Sequence, residues 1–104
     1  MIFRRGRFGD LIERQLDLFR TEQAELIRAC EDAERRYDAA EREEAEERYG
    51  EYVDLVEEGT EALADIRDAF KRTLDEDAAE AYEAAFNKAV KRRLPRFGLE
   101  IDLR

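Results

Sequence analysis

Asp38-Ala39-Ala40-Glu41-Arg42-Glu43-Glu44-Ala45-Glu46-Glu47-Arg48-Tyr49-Gly50 is the stretch that decides the fold. Apolar residues recur at helical spacing on either side of it, but on different faces. Upstream, Ile12, Leu16, Phe19, Leu26, Cys30, Ala33, Tyr37 and Ala40 follow in steps of four and three, with Gln23 in the one gap. That is the heptad pattern of a helical seam. The same steps carried onward land on Glu44, Glu47, Glu51, Asp54, Glu58, Glu61, Asp65 and Asp68, all acidic. The downstream stripe runs instead through Tyr49, Tyr52/Val53, Val56, Thr60, Leu63, Ile66, Phe70 and Leu74. One straight helix would have to move its core from one side to the other, so the chain is expected to turn between 40 and 50. Gly50 is the only local breaker and a candidate helix cap, while the strong helix formers of 38–48 leave the turn open anywhere from 40 to 50.

A second phase change follows. Ala78, Tyr82, Ala85/Phe86, Ala89/Val90 and Leu94 form a third stripe, offset from the second. Asp75 or Asp77 suits its N-cap, the basic run Lys88 to Arg93 suits its C-terminal end, and Pro95 stops it. At the other end, Asp10 with Glu13 has the spacing of a capping box. The reading is a single all-α domain over 1–104: a three-helix antiparallel bundle or helical hairpin. Its helices fall at roughly 9–45, 51–74 and 76–94, the first much the longest, with an extended tail over 95–104. The outer half of so long a first helix needs cover. Its seam is built from small residues, so a second copy is the expected partner, through Leu26, Cys30, Ala33 and Tyr37.

Composition narrows the function. The chain has no histidine, which removes the commonest general base, the usual nucleophilic triads and most zinc sites. Ferritin-like Glu-x-x-His pairs are missing as well. There is no glycine-rich phosphate loop. We therefore expect no catalytic residues, no cofactor and no enzyme activity. Cys30, on an apolar seam, is expected to be inert filler. Glu34, Asp38, Glu41 and Glu44 would share one face of a continuous helix, expected to be a solvated acidic face beside Arg35, Arg42 and Arg48 rather than a metal site; the alternative is a set of oxygen ligands for a hard cation. Net charge is −9, and residues 21–68 carry eighteen acids against six bases. Such a middle repels phosphate and argues against direct nucleic-acid binding. No apolar run reaches membrane-span length. The basic start, Arg4-Arg5-Gly6-Arg7 between Phe3 and Phe8, lacks the apolar core of a secretory signal. With one cysteine, a cytoplasmic location is expected. Sixteen arginines against three lysines fit a GC-rich bacterial gene.

Gln15-Leu16-Asp17-Leu18-Phe19 resembles the pentapeptide, Gln-Leu-(Ser/Asp)-Leu-Phe, by which many bacterial proteins dock on the DNA polymerase sliding clamp. The resemblance covers these five residues alone. It implies an extended peptide with Gln15 as polar anchor and Leu18 and Phe19 as the apolar plug. Helix periodicity gives the same residues another role, with Leu16 and Phe19 on the seam and Leu18 beside Leu11 on a second face.

The tail residues Phe97, Leu99, Ile101 and Leu103 alternate with polar ones, which reads first as an extended strap packing Phe97 and Leu99 over a helix end and second as a docking peptide. The ending resembles the docking peptides of encapsulin cargo proteins, though it lacks their Gly-Ser-Leu core. Taken together, these features lead us to expect a non-enzymatic helical assembly or adaptor protein acting through protein–protein contacts. The alternatives are a sliding-clamp ligand acting through Gln15 to Phe19 and a carboxylate metal-binding helical protein.

Overall fold

The computed structural model describes residues 6–104, and every regular element in that range is helical. The elements are α1 (Gly9–Glu22), α2 (Ala24–Asp38), α3 (Ala45–Lys71), α4 (Glu76–Arg93), a 3-10 turn (Pro95–Phe97) and a short α5 (Gly98–Ile101). The expectation for the basic N-terminus falls largely on residues 1–5, outside the described residues. α2 and α3 form a hairpin. α4 and α5 close against the C-terminal half of α3, and α1 lies along α4. The described residues span 51 × 32 × 21 Å.

The expected long first helix is two helices, and the longest helix is the third, with 27 residues. The break is one residue wide, at Gln23, the only polar position of the upstream seam. On the two sides of it the seam finds different cover. Ile12, Leu16 and Phe19 are buried from α1, whose main neighbour is α4; Cys30 and Ala33 are buried from α2, whose main neighbour is α3. A straight helix could not serve both neighbours, and it would aim the Gln23 amide into the core at a desolvation cost.

The turn into α3 lies at residues 39–44, so Gly50 is not a cap but sits inside α3. A single helical glycine costs only about 1 kcal/mol, and the Glu, Arg and Ala around it are strong helix formers. The hairpin is closed instead by Tyr37 against Tyr49, ring centroids 5.3 Å apart. α1 begins at Gly9 with Phe8 as its N-cap residue, so Asp10 lies in the first turn rather than capping it. Glu13, the expected capping-box partner, is taken by Arg92 and Arg93 at 3.0 and 2.8 Å. α4 is capped by Asp75, whose Oδ1 accepts from the Ala78 N–H at 2.9 Å. Lys91, Arg92 and Arg93 sit at its negative C-terminal end.

The tail is helical, not extended. Phe97 and Ile101 point inward, four residues apart, while Leu99 and Leu103 point outward. A period of two over seven residues fits a strand, but its alternate members are also helical i, i+4 pairs. The core therefore joins Ile12, Leu16, Phe19, Leu63, Tyr82, Phe86, Val90, Phe97 and Ile101, all buried. Edge-to-face contacts link its aromatic rings, Phe19 to Phe97 at 5.8 Å and Phe8 to Tyr82 at 5.3 Å.

Gly59 makes the tail's seat. A Cβ there would stand 2.8 Å from Phe97 Cζ, and closer still to Cε1, so the ring lies directly on the α3 backbone. Gly50, in the same helix, faces open space. The two glycines should respond oppositely to alanine. Gly50→Ala should stabilise by roughly 0.5–1 kcal/mol, the helix-propensity gain. Gly59→Ala gains the same propensity but overpacks the ring, at about 1–3 kcal/mol, and should be neutral to destabilising by about 2 kcal/mol. Urea unfolding of both variants checks this; equal stabilisation would remove the proposed seat.

Candidate functional site

Arg67 is 1% exposed, deep between α3, α4 and α5. A buried guanidinium is tolerated only when its donors are taken up. Its Nε donates to Asp68 Oδ1 at 2.9 Å, and Nη1 donates to Asn87 Oδ1 at 3.0 Å and to the Ile101 main-chain oxygen at 3.2 Å. Nη2 donates to the Arg104 main-chain oxygen at 2.7 Å. Two of these acceptors belong to the tail, so Arg67 stitches it to α3 and α4. Lys91 pairs with Asp102, and Arg104 Nη1 reaches Glu61 Oε2 at 3.2 Å, on the flanks of the same seam. On the outer side of this fastened turn Leu99 is 89% exposed and Leu103 78%. Of the tail residues expected to dock, Phe97 and Ile101 are therefore core, and Leu99 and Leu103 are available.

The pentapeptide lies wholly within α1. Leu16 and Phe19 are fully buried, whereas Leu18 is 55% exposed. Gln15 Oε1 accepts the Tyr82 hydroxyl at 2.8 Å, and Asp17 Oδ1 accepts from Arg93 Nη2 at 2.6 Å. The segment thus spends its polar positions on α4 and its two seam residues on the core. Presenting it as an extended peptide would require α1 to open locally, at a cost of several kcal/mol. Burial pushes the Tyr82 hydroxyl up to about 12, against the opposite pulls of the Gln15 amide and the positive Arg67.

The seam residues expected for self-association are also placed. Cys30 and Ala33 are fully buried, Leu26 is half-buried, and Tyr37 stays exposed beside Tyr49. The cover expected from a second copy comes from α3 of the same chain. Burial raises the Cys30 thiol, against the pull of Arg96, so it stays protonated. The acidic face expected of a continuous helix does not form. α2 stops at Asp38, Glu41 and Glu44 lie in the following turn, and Glu34 accepts from Arg96 Nη1 at 3.3 Å. Among the described residues, no three His, Cys, Asp or Glu groups converge closely enough to hold a metal ion, and no helix is long and apolar enough to cross a membrane.

Between the start of α2 and the end of α4 runs a groove of about 690 Å³. Ile27 and Pro95 line its apolar side, over the buried Leu94 and Phe97, and Arg20, Arg28, Arg93 and Arg96 line it as well. Reading along the sequence misses both this cluster and Arg67. Arg67 adjoins the second stripe at Ile66 and reads as surface, and the groove arginines come from helices far apart in sequence.

Phe19→Ala should destabilise by about 3–5 kcal/mol, as a core aromatic, while Leu18→Ala should stay within about 0.5 kcal/mol. Equal, small effects in thermal and urea melts would mean that the pentapeptide is not core. Because Tyr82 titrates higher folded than unfolded, its contribution is complete below pH ~10 and fades as pH rises through about 12. The chain should lose on the order of 2 kcal/mol across that window, and Tyr82→Phe should flatten the slope. Comparison with known protein families, with curated proteins and with solved structures finds no match.

Proposed function

We propose that this chain is a non-enzymatic helical assembly protein, one that pairs with itself and offers a second protein a docking face on its C-terminal turn. The observation that carries the reading is the outward pair Leu99 and Leu103, held on a turn that Arg67 fastens from beneath. A four-residue helix has no stability of its own in water. Holding it takes a buried guanidinium, two main-chain acceptors and a phenylalanine seated on Gly59. What that arrangement holds outward is two leucines, one helical turn apart. Two exposed apolar side chains on a rigid support resemble the anchor spacing of helical docking modes. A preorganised anchor also loses less entropy on binding than a flexible tail would.

The chemistry of the chain supports an interaction role over catalysis. There is no histidine, and the one thiol is buried with its pKa raised. The carboxylates of the acidic hairpin are spread around a turn rather than gathered on one face. A reducing, cytoplasmic setting suits that single unpaired cysteine.

The test uses the full chain carrying a photo-crosslinking residue at 99 or 103, expressed in its host. One protein should crosslink reproducibly at these positions and not at exposed Glu57 on α3. The Leu99→Asp/Leu103→Asp variant should keep its melting temperature, because both side chains are already in water. It should lose the crosslinked partner. A crosslinking pattern no different from that at Glu57 would overturn the docking face.

A further inference from the structure

The groove between α2 and α4 is lined by four arginines in a chain whose net charge is −9. Its four arginines differ in how far their charge is already answered. Arg93 is opposed by Glu13 and Asp17, and Arg96 by Glu34. Arg20 donates from Nη2 to the Arg93 main-chain oxygen at 2.8 Å and meets no carboxylate. Arg28 has no hydrogen bond or ion pair among the described residues. These two guanidinium groups stand on either side of the Gln23 break and line a groove whose apolar side is Ile27 and Pro95, over the buried Leu94 and Phe97. Tyr52 lines the same groove, its hydroxyl already accepting from Arg96 Nη1 at 3.0 Å. Glu31 and Glu34 also line it, and Glu13 and Asp17 already answer Arg93, so the charge left for a partner is that of Arg20 and Arg28 against Glu31. A groove of this kind fits a segment that carries several carboxylates and an aromatic or apolar side chain.

The chain itself carries such a segment. Residues 38–51, at the tip of the α2–α3 hairpin, hold seven acids against two bases. From 34 to 55 no residue is buried, so the tip stands beyond the core. It bears the exposed ring pair Tyr37 and Tyr49. Within one copy no residue of 38–51 lines the groove. Arg28 and Asp38, where α2 ends, are ten residues apart, about 15 Å along the helix at 1.5 Å per residue. A tip seated in the groove of a second, antiparallel copy would make the same contact twice. One two-fold axis then satisfies both contacts, as a closed symmetric dimer requires.

We propose that the arginine-lined groove receives the acidic, tyrosine-bearing hairpin tip of a second copy. The result is an antiparallel two-fold dimer held chiefly by charge. This rests on the self-pairing part of the reading above and names its surfaces. Electrostatic contacts of this type weaken as salt shortens the screening length from about 10 Å at 0.1 M to about 3 Å at 1 M.

The experiment is sedimentation velocity on the full chain, from 0.05 to 1 M salt, roughly the range over which screening changes most. The wild type should dimerise, with affinity falling at least about tenfold across that series. Arg28→Glu is exposed and unpartnered, so it should fold normally by circular dichroism and weaken the dimer about tenfold or more. Glu43→Arg/Glu44→Arg, on the exposed turn, should do the same. Mixing the two variants should restore a heterodimer, because one of the two tip–groove contacts then pairs inverted charges again. A dimer that forms but ignores salt and both charge reversals overturns this interface while leaving self-pairing intact. A dimer abolished by Leu99→Asp/Leu103→Asp alone also overturns it, and moves self-pairing to the C-terminal turn. A wild type that stays monomeric at all concentrations overturns both self-pairing and this interface, and leaves the docking face to be judged by crosslinking.

Discussion

Arg67 puts a positive charge where water does not reach, and much of the C-terminal architecture follows from how that charge is accommodated. Its donors go to Asp68 on its own helix, Asn87 on α4, and the Ile101 and Arg104 main-chain oxygens. Those two oxygens come from the end of a helix too short to satisfy its own last carbonyls. The arginine therefore does for α5 what a cap does for a longer helix, and from outside the segment. Removing one side of such an arrangement is costly, about 3–5 kcal/mol in comparable buried pairs, because the other side is left buried and unpaired. The tail in turn carries Phe97, whose ring lies on Gly59 and meets the edge of Phe19. α1 is seated by the same contact. A charge on α3, a turn at one end of the chain and a helix at the other are thus mechanically linked.

That linkage divides the molecule energetically. The buried side chains of α3 begin at Val56 and end at Arg67, and the helix packs against α2, α4 and α5. Beyond it, from residue 34 to 55, the hairpin has half-buried and exposed residues and one aromatic pair across it. Local opening should be cheapest there, since opening free energy tracks buried apolar contact. Ion pairs such as Arg48 with Glu51 do little to change this, because exposed pairs contribute under about 1 kcal/mol.

How much of this was readable from the residues depended on whether the signal was local. Helix content, the phase change near 40–50, the Asp75 cap and the stop at Pro95 all follow from spacing and end chemistry within a few residues. The split at Gln23 does not, because the seam is continuous in letters and breaks only when its halves acquire different neighbours. Gly50 misled for a related reason. A glycine marks a permitted turn, whereas the Tyr37–Tyr49 contact and the strong helix formers around residue 50 fixed the turn six residues earlier. The tail's alternation was read as a strand because period two is its commoner meaning; Arg67, thirty residues upstream, decided otherwise. Of the site, Leu99 and Leu103 were visible as candidates, but which pair of the four would face outward was set by Gly59.

The pentapeptide shows the same principle at its sharpest. All five letters match a docking peptide, and four of them have an observed task inside the fold. Leu16 and Phe19 fill the core, Gln15 takes the Tyr82 hydroxyl, and Asp17 takes Arg93. Gln15 is the informative one. A helix seam does not call for a glutamine at that position, and periodicity gives no reason for it. The reason lies sixty-seven residues away, in a buried phenol that would otherwise be an unsatisfied polar group in the core. A polar residue that local pattern leaves unexplained is often the partner of a buried polar group that local pattern cannot see. Of its three apolar letters Leu18 alone keeps its side chain in solvent, and one leucine without its phenylalanine is half of the apolar plug that the docking peptide requires. Docking through this segment would therefore have to trade the Phe19–Phe97 contact for a new one. That contact is also what connects α1 to the turn fastened by Arg67, so the exchange would disturb the face that carries Leu99 and Leu103.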